Sequence, residues 1–155
     1  MKIRVALDLD LLALITIAER YASERDGRWC ALEFDVDRAL HFGAMAIQDP
    51  NQQIFIAYEG SKVQGFMWVA LTSPIWSSDI IAYDVFLYVH PEHRNLSVAK
   101  ALVDEFEAWA KACGAKAIHT GANSGVFKDN PAAALYEHLG YQPGGYNFYK
   151  EIEED

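Results

Sequence analysis

The string YVHPEHRNLSVAKAL, residues 88–102, decides how this chain is read. An apolar run, IIAYDVFLYV at 80–89, leads into it. Its β-branched and aromatic content marks a strand, and its nearly unbroken apolar character predicts cover on both faces, as a central strand has. Pro91 stops that strand. From residue 96 the period changes. Val98, Leu102, Phe106, Trp109 and Cys113 fall on one stripe of a helix over 96–113, with Lys100, Asp104, Glu107 and Lys111 opposite. Gly114 stands where a C-terminal cap belongs. The loop between strand and helix carries His93 and Arg94. A helix start offers unpaired backbone N–H groups and the positive end of the dipole, which suits phosphate. Ser97 and Ala99 are small enough for a phosphate to approach the backbone, and Arg94, with Lys100, can add charge-assisted bonds. Taken alone, the string reads more readily as an ordinary strand–loop–helix connection with a solvated arginine, because no glycine-rich loop is present.

Working outward, residues 2–6 form a short first strand. Asp8 or Asp10 caps a helix whose apolar positions are Leu11, Leu12, Ile15, Ala18 and Ala22, and the polar stretch 24–27 ends it. Asp35 caps a second helix through Val36, Ala39, Leu40, Gly43 and Ile47, closed by Pro50 and Asn51. Strands at 54–58 and 63–72, joined by the turn Glu59, Gly60, Ser61, make a hairpin. Residues 73–79 form a loop. After the helix at 96–113 comes a strand at 117–120. Asn130 followed by Pro131 starts a helix that ends at Gly140. Two last strands follow, one from residue 141 and one over 146–152. The expected order is βααβββαβαββ, an α/β fold with a mixed sheet.

The second informative string is NPAAALYEHLGY, 130–141. Helix start, core leucines and C-cap account for most of it. Taken with the first string, in this order and at this separation, it resembles the GNAT superfamily of acyl-CoA-dependent N-acyltransferases. That family's cofactor motif is Arg or Gln, two residues, Gly, one residue, Gly or Ala. Here it reads Arg94, Asn95, Leu96, Ser97, Val98, Ala99. The later motif is met by Asn130, Ala133, Leu135, Tyr136, Leu139, Gly140 and Tyr141. Ser97 stands where glycine is usual, and Asn95 where many members also have glycine. The departure bears on cofactor affinity.

The resemblance implies a single GNAT-like domain over 1–155, with a mixed, mostly antiparallel sheet flanked by helices and splayed central strands. It implies acetyl-CoA held between the strand ending at Val89 and the strand at 117–120. The pantetheine arm pairs with backbone at Leu87, Tyr88 and Val89. The pyrophosphate sits on the N–H groups of Asn95, Leu96, Ser97, Val98 and Ala99, with Arg94 beside it, and Asn130 and Ala133 line the other side. A primary amine attacks the thioester directly. Tyr136 is the residue the motif sets beside the sulfur, where a hydrogen bond strengthens as charge develops. Asp84 is a candidate base, because many relatives carry a carboxylate in this region. Glu33 is a second candidate, read first as solvated. A water chain with no dedicated base is the third option, and a non-catalytic acyl-CoA sensor or scaffold the alternative to an enzyme. A homodimer is ordinary for this fold.

Composition bounds these readings. At 155 residues the length suits one domain. An aromatic share of 13%, spread along the chain, excludes intrinsic disorder. Thirteen Lys and Arg against 22 Asp and Glu give −9, which argues against a general nucleic-acid binder and favours a cationic small-molecule or peptide amine. Part of that charge sits in the tail Glu151, Glu153, Glu154, Asp155. Cys30 and Cys113 lack CxxC spacing and suit free thiols in a reducing compartment. His41, His90, His93, His119 and His138 show no metal spacing, so no metal is expected. The run at 11–18 falls short of the roughly 20 apolar residues of a span, so no membrane association is expected. Asp8 and Asp10 interrupt any signal-peptide reading, and a cytoplasmic location is expected. Trp29, Trp68, Trp76 and Tyr83 can line an acceptor pocket, but core packing explains most of them.

Overall fold

A computed structural model describes residues 1–24, 32–121, 131–145, 148 and 150–154. Among the described residues five strands form one sheet in the order β1 (Lys2–Val5), β2 (Gln52–Glu59), β3 (Lys62–Thr72), β4 (Ile81–Val89) and β5 (Ala117–His119). Neighbours run antiparallel except β4 and β5, which are parallel. Among the described residues four α-helices flank the sheet: α1 (Leu11–Glu24), α2 (Val36–Gln48), α3 (Leu96–Ala112) and α4 (Pro131–His138).

Along β2 the sheet is covered on both faces. Phe55 and Ala57 point into a layer with Val98, Leu102, Val103 and Phe106 of α3 and Tyr136 of α4. Ile54 and Ile56 point the other way, towards Leu14 and Ala18 of α1 and Ala46 of α2. This is why QQIFIAYE shows no apolar–polar alternation. Asp35 caps α2 as expected, accepting from Arg38 N at 3.0 Å. On α1 the outcome differs: Leu14 is buried and Leu12 is 71% exposed. Asp10 lies in a 3₁₀ turn ahead of the helix. There it accepts from Leu7 N and holds Arg4 through two bonds of 2.6 and 2.7 Å, which keep its carboxyl below the usual range.

Two irregularities shape the sheet. The β2–β3 register steps from Ala57↔Gly65 to Tyr58↔Val63, leaving Gln64 as an extra residue, and its carbonyl accepts from His90 N at 2.7 Å. The β3–β4 register steps from Trp68↔Phe86 to Val69↔Asp84, leaving Val85 extra. Such bulges bend a strand and re-aim its side chains. Beside the first, Gly65 lets two backbones touch: a Cβ there would lie 2.6 Å from the Tyr88 carbonyl oxygen.

Two expectations fail. β4 is not covered on both faces, since only Ala82 and Tyr88 in it are buried. Its ladder with β5 ends at Tyr83↔His119 while β4 runs on to Val89, so the middle of the strand opens onto a cleft. The strand expected from residue 141 is also not seen, since 141–145 are in no strand; the strand expected over 146–152 falls partly on Tyr146, Asn147 and Tyr149, which lie outside the described residues. No helix among the described residues is long and apolar enough to cross a membrane.

Candidate active site

The splay of β4 from β5 opens a cleft of about 900 Å3. Its floor is β4 from Asp84 onward. One side is the start of α3 with α4, and the other is α1 with the segment leading to α2.

At the point of splay, Asp84 and Tyr136 meet. The Tyr136 hydroxyl donates to Asp84 Oδ2 at 3.3 Å, and Gly121 N, just beyond β5, donates to Asp84 Oδ1 at 3.2 Å. Burial pushes the Asp84 carboxyl up from 3.8 to about 6, against the pull of those bonds. Tyr136 is 5% exposed, and its phenol is raised well above the ordinary 10, first by burial and then by the charge of Asp84. It therefore stays protonated across the physiological range, as a hydrogen-bond donor. Its ring lies 5.2 Å from that of Tyr141, whose hydroxyl donates to Glu107 Oε1 at 2.9 Å.

The start of α3 corrects the expectation of open N–H groups. Asn95 is the N-cap, and its Oδ1 accepts from Ser97 N at 3.1 Å, Val98 N at 3.2 Å and Ser97 Oγ at 2.5 Å. Asn95 N itself donates to the His93 carbonyl at 2.8 Å. A side-chain oxygen thus sits where a phosphate oxygen was expected, the ordinary role of Asn at this position. A phosphate can take Ser97 N and Val98 N only when Asn95 turns away. Arg94 folds back, its Nε donating to the Val89 carbonyl at 2.9 Å and its guanidinium lying 5.4 Å from the Tyr88 ring centre.

The remaining sequence candidates divide. Leu87, Val89, Arg94, Asn95, Leu96 and Ala99 line the cleft with Asp84 and Tyr136. Val98 is core, Ser97 is exposed outside the cleft, and the Tyr88 side chain is buried against Tyr21 and Phe66. Ala133 does not line the cleft, whereas Ala132 and Ala134 do. Asn130, like Trp29 and Cys30, lies outside the described residues. Glu33 is exposed at the cleft. Trp68 is bound to Gln52 and Phe86, and Trp76 is 84% exposed, so neither lines the cleft.

Sequence reasoning missed Tyr21, Leu32, Phe34 and Phe86, which also line it. As apolar and aromatic positions they carry the same signal as core. It also missed that His90, Glu92 and His93 each bring one ligand atom within 4.8 Å of the others, a grouping that HExxH spacing does not detect. The Arg20 guanidinium, 2.9 Å from His90 Nε2, sets a competing cation there. His93 Nε2 is buried with no hydrogen-bond partner among the described residues.

Comparison with known proteins agrees with this geometry. Among curated proteins none matches the chain by sequence. Solved structures share the fold. A probable acetyltransferase superposes with a TM-score of 0.77 at 18% identity, covering 100% of both chains. An aminoglycoside 6'-N-acetyltransferase from Acinetobacter haemolyticus gives 0.76 at 16% identity, also over 100% of both. A ribosomal-protein-alanine N-acetyltransferase from Brucella melitensis gives 0.71 at 18%, over 98% of this chain and 100% of its own. Residues 50–143 match the family described as Acetyltransferase (GNAT) domain. With that match spanning more than half of its length, and with β4 parting from β5 over a cleft, the chain belongs to the GNAT acetyltransferase family.

Proposed function

We propose that the protein, acting as one domain, transfers an acetyl group from acetyl-CoA to a primary amine by direct attack. The observation that carries this reading is the Tyr136–Asp84 pair at the splay of β4 and β5. GNAT acetyltransferases use acetyl-CoA, and the cleft fits such a ligand: about 900 Å3, floored by a strand edge that β5 has released. Leu87 and Val89 would hold the pantetheine arm. Leu96 and Ala99, with Ser97 N and Val98 N once Asn95 turns out, would hold the pyrophosphate, and Arg94 would contribute charge. Acetyl-CoA supplies an activated acyl group: the amine nitrogen bonds to the carbonyl carbon, the carbon–sulfur bond breaks, one amine proton is lost, and the thiol leaves with a proton.

Asp84 handles the amine proton. Bulk lysine-like amines titrate near ~10.4, far above a free carboxyl. Burial narrows that gap from both sides, raising Asp84 to about 6 and lowering an amine held in the same apolar cleft. Tyr136 serves the departing sulfur. In the resting protein its proton points at Asp84. When Asp84 becomes neutral, the charge that raises the phenol disappears, and the hydroxyl is free to turn and donate to sulfur. The pair thus links uptake of one proton to donation of a hydrogen bond elsewhere.

Release of free thiol from acetyl-CoA, measured across an amine panel with the intact protein, tests the reading. Amine-dependent release is expected. Thermal stabilisation by CoA without turnover on any amine would instead indicate a binding domain.

A further inference from the structure

The geometry assigns the acceptor to one chemical class, a small monoamine carried on an aryl or alkyl body, an assignment that rests on the acetyl-transfer reading above. The wall facing the Asp84–Tyr136 pair is apolar. Tyr21 of α1 stands edge-on to Phe86 of β4, with ring centres 5.8 Å apart, and both line the cleft beside Phe34. Leu32 and Val85 also line the cleft, and they are 55% and 38% exposed, so apolar surface is left uncovered. An aryl or alkyl group laid there removes that surface from water and meets ring faces and edges in favourable arrangements.

Charge points the same way. Among the described residues lining the cleft, the acids are Asp84, at the point of splay, and Glu33, at the rim. Asp84 is engaged by Tyr136 and Gly121 and is the group that takes the proton. That leaves Glu33 to attract one ammonium group from solvent. Among the described residues of this wall, an acceptor with four or five ammonium groups, such as an aminoglycoside, would press several of them against alanine, leucine and phenylalanine side chains that offer no hydrogen-bond acceptor, and unpaired charge is strongly disfavoured there. The shared fold of the aminoglycoside enzymes therefore does not carry over their acceptor, because acceptor choice lies in this wall and not in the sheet. The overall charge of −9 speeds the approach of any cation without selecting which one reacts.

The test compares kcat/KM for 2-phenylethylamine, methylamine, kanamycin and a lysine-containing peptide, reading thiol release from acetyl-CoA by the intact protein. Phenylethylamine is expected to exceed each of the others by about 10-fold or more, the range that added apolar contact supplies in such pockets. Phe34→Ala is expected to raise KM for phenylethylamine about 10-fold and to leave KM for acetyl-CoA within 2-fold, on the order of what one ring in a wall provides. Phe34→Leu, which keeps apolar bulk, is expected to recover most of that loss and guards against a folding defect in the alanine variant. Preference for kanamycin or the peptide overturns the assignment and leaves acetyl transfer standing. Failure of every amine, with acetyl-CoA still stabilising the protein, overturns both.

Discussion

On the α3–α4 side of the cleft, polar atoms already hold one another: Tyr136 to Asp84, Asn95 to Ser97 and Val98, Arg94 to Val89. On the other side, Tyr21 of α1 and Phe34 offer rings beside Phe86 of β4, with Glu33 exposed at the rim. The first wall has hydrogen bonds to exchange when a ligand arrives. The second has chiefly apolar surface to cover. A ligand that meets both must bring polar groups at one end and an apolar body at the other.

Replacing Asp84, the proposed base on the polar wall, should have the largest effect. Asp84→Asn is expected to lower kcat about 10³-fold and to abolish the acidic limb of the pH–rate profile near pH 6. A variant profile that keeps this limb removes Asp84 from the proton path. The same substitution should stabilise the fold. A carboxyl whose folded pKa is raised loses its proton first in the unfolded chain, so its burial favours folding least at high pH. Stability is full below the ordinary carboxylate range and falls as pH rises towards 6. The rise from 3.8 to about 6, at about 1.4 kcal/mol for each pH unit, is about 3 kcal/mol. Asn at this position should raise Tm at pH 8 and leave it nearly unchanged at pH 3.5, by calorimetry at the two values.

Tyr136→Phe comes next, with an expected loss of about 10²-fold in kcat and little change in KM for acetyl-CoA, the pattern for a hydrogen bond that strengthens in the transition state. Equal turnover by the variant would remove Tyr136 from the mechanism. Gly65→Ala tests the floor shared by both walls. Its Cβ would overlap the Tyr88 carbonyl, and a loss of about 1–3 kcal/mol in denaturant unfolding is expected, with weaker acetyl-CoA binding as the end of β4 shifts. The smallest effect belongs to Asn95→Gly. Glycine caps a helix nearly as well, within a few tenths of a kcal/mol, yet has no oxygen to compete for Ser97 N and Val98 N. Acetyl-CoA should bind about 3- to 10-fold more tightly by calorimetric titration, since about 1 kcal/mol of competing hydrogen bond is gone. Weaker binding would mean that Asn95 helps to hold the ligand instead of competing with it.

The two walls also differ in how far they could be read in advance. The polar wall was legible in part: the strand–loop–helix signals located Arg94 and Asn95, whereas Asp84 and Tyr136 stood out only through the resemblance to the family. What the sequence did not reveal there was that Asn95 turns its own oxygen onto the helix start, a choice of rotamer. The apolar wall was not legible at all. Phe34 and Phe86 look in sequence like Phe55 and Phe66, which are buried. β4 misled for the same reason: its run of apolar residues suggested two covered faces, and part of it lines a cleft.

By itself the chain's order of residues determined the strands through β5, the four helices and the hairpin, because periodicity, caps and turn residues act over a few positions. It also fixed the pairing of a strand–loop–helix string with a later Leu-Tyr helix, and hence the family. Tertiary structure alone decided where β4 leaves β5, because the bulge at Val85 and the short length of β5 express themselves only when strands pair. It alone decided which aromatic residues face the opening, since burial depends on what else packs nearby and no residue carries that information locally.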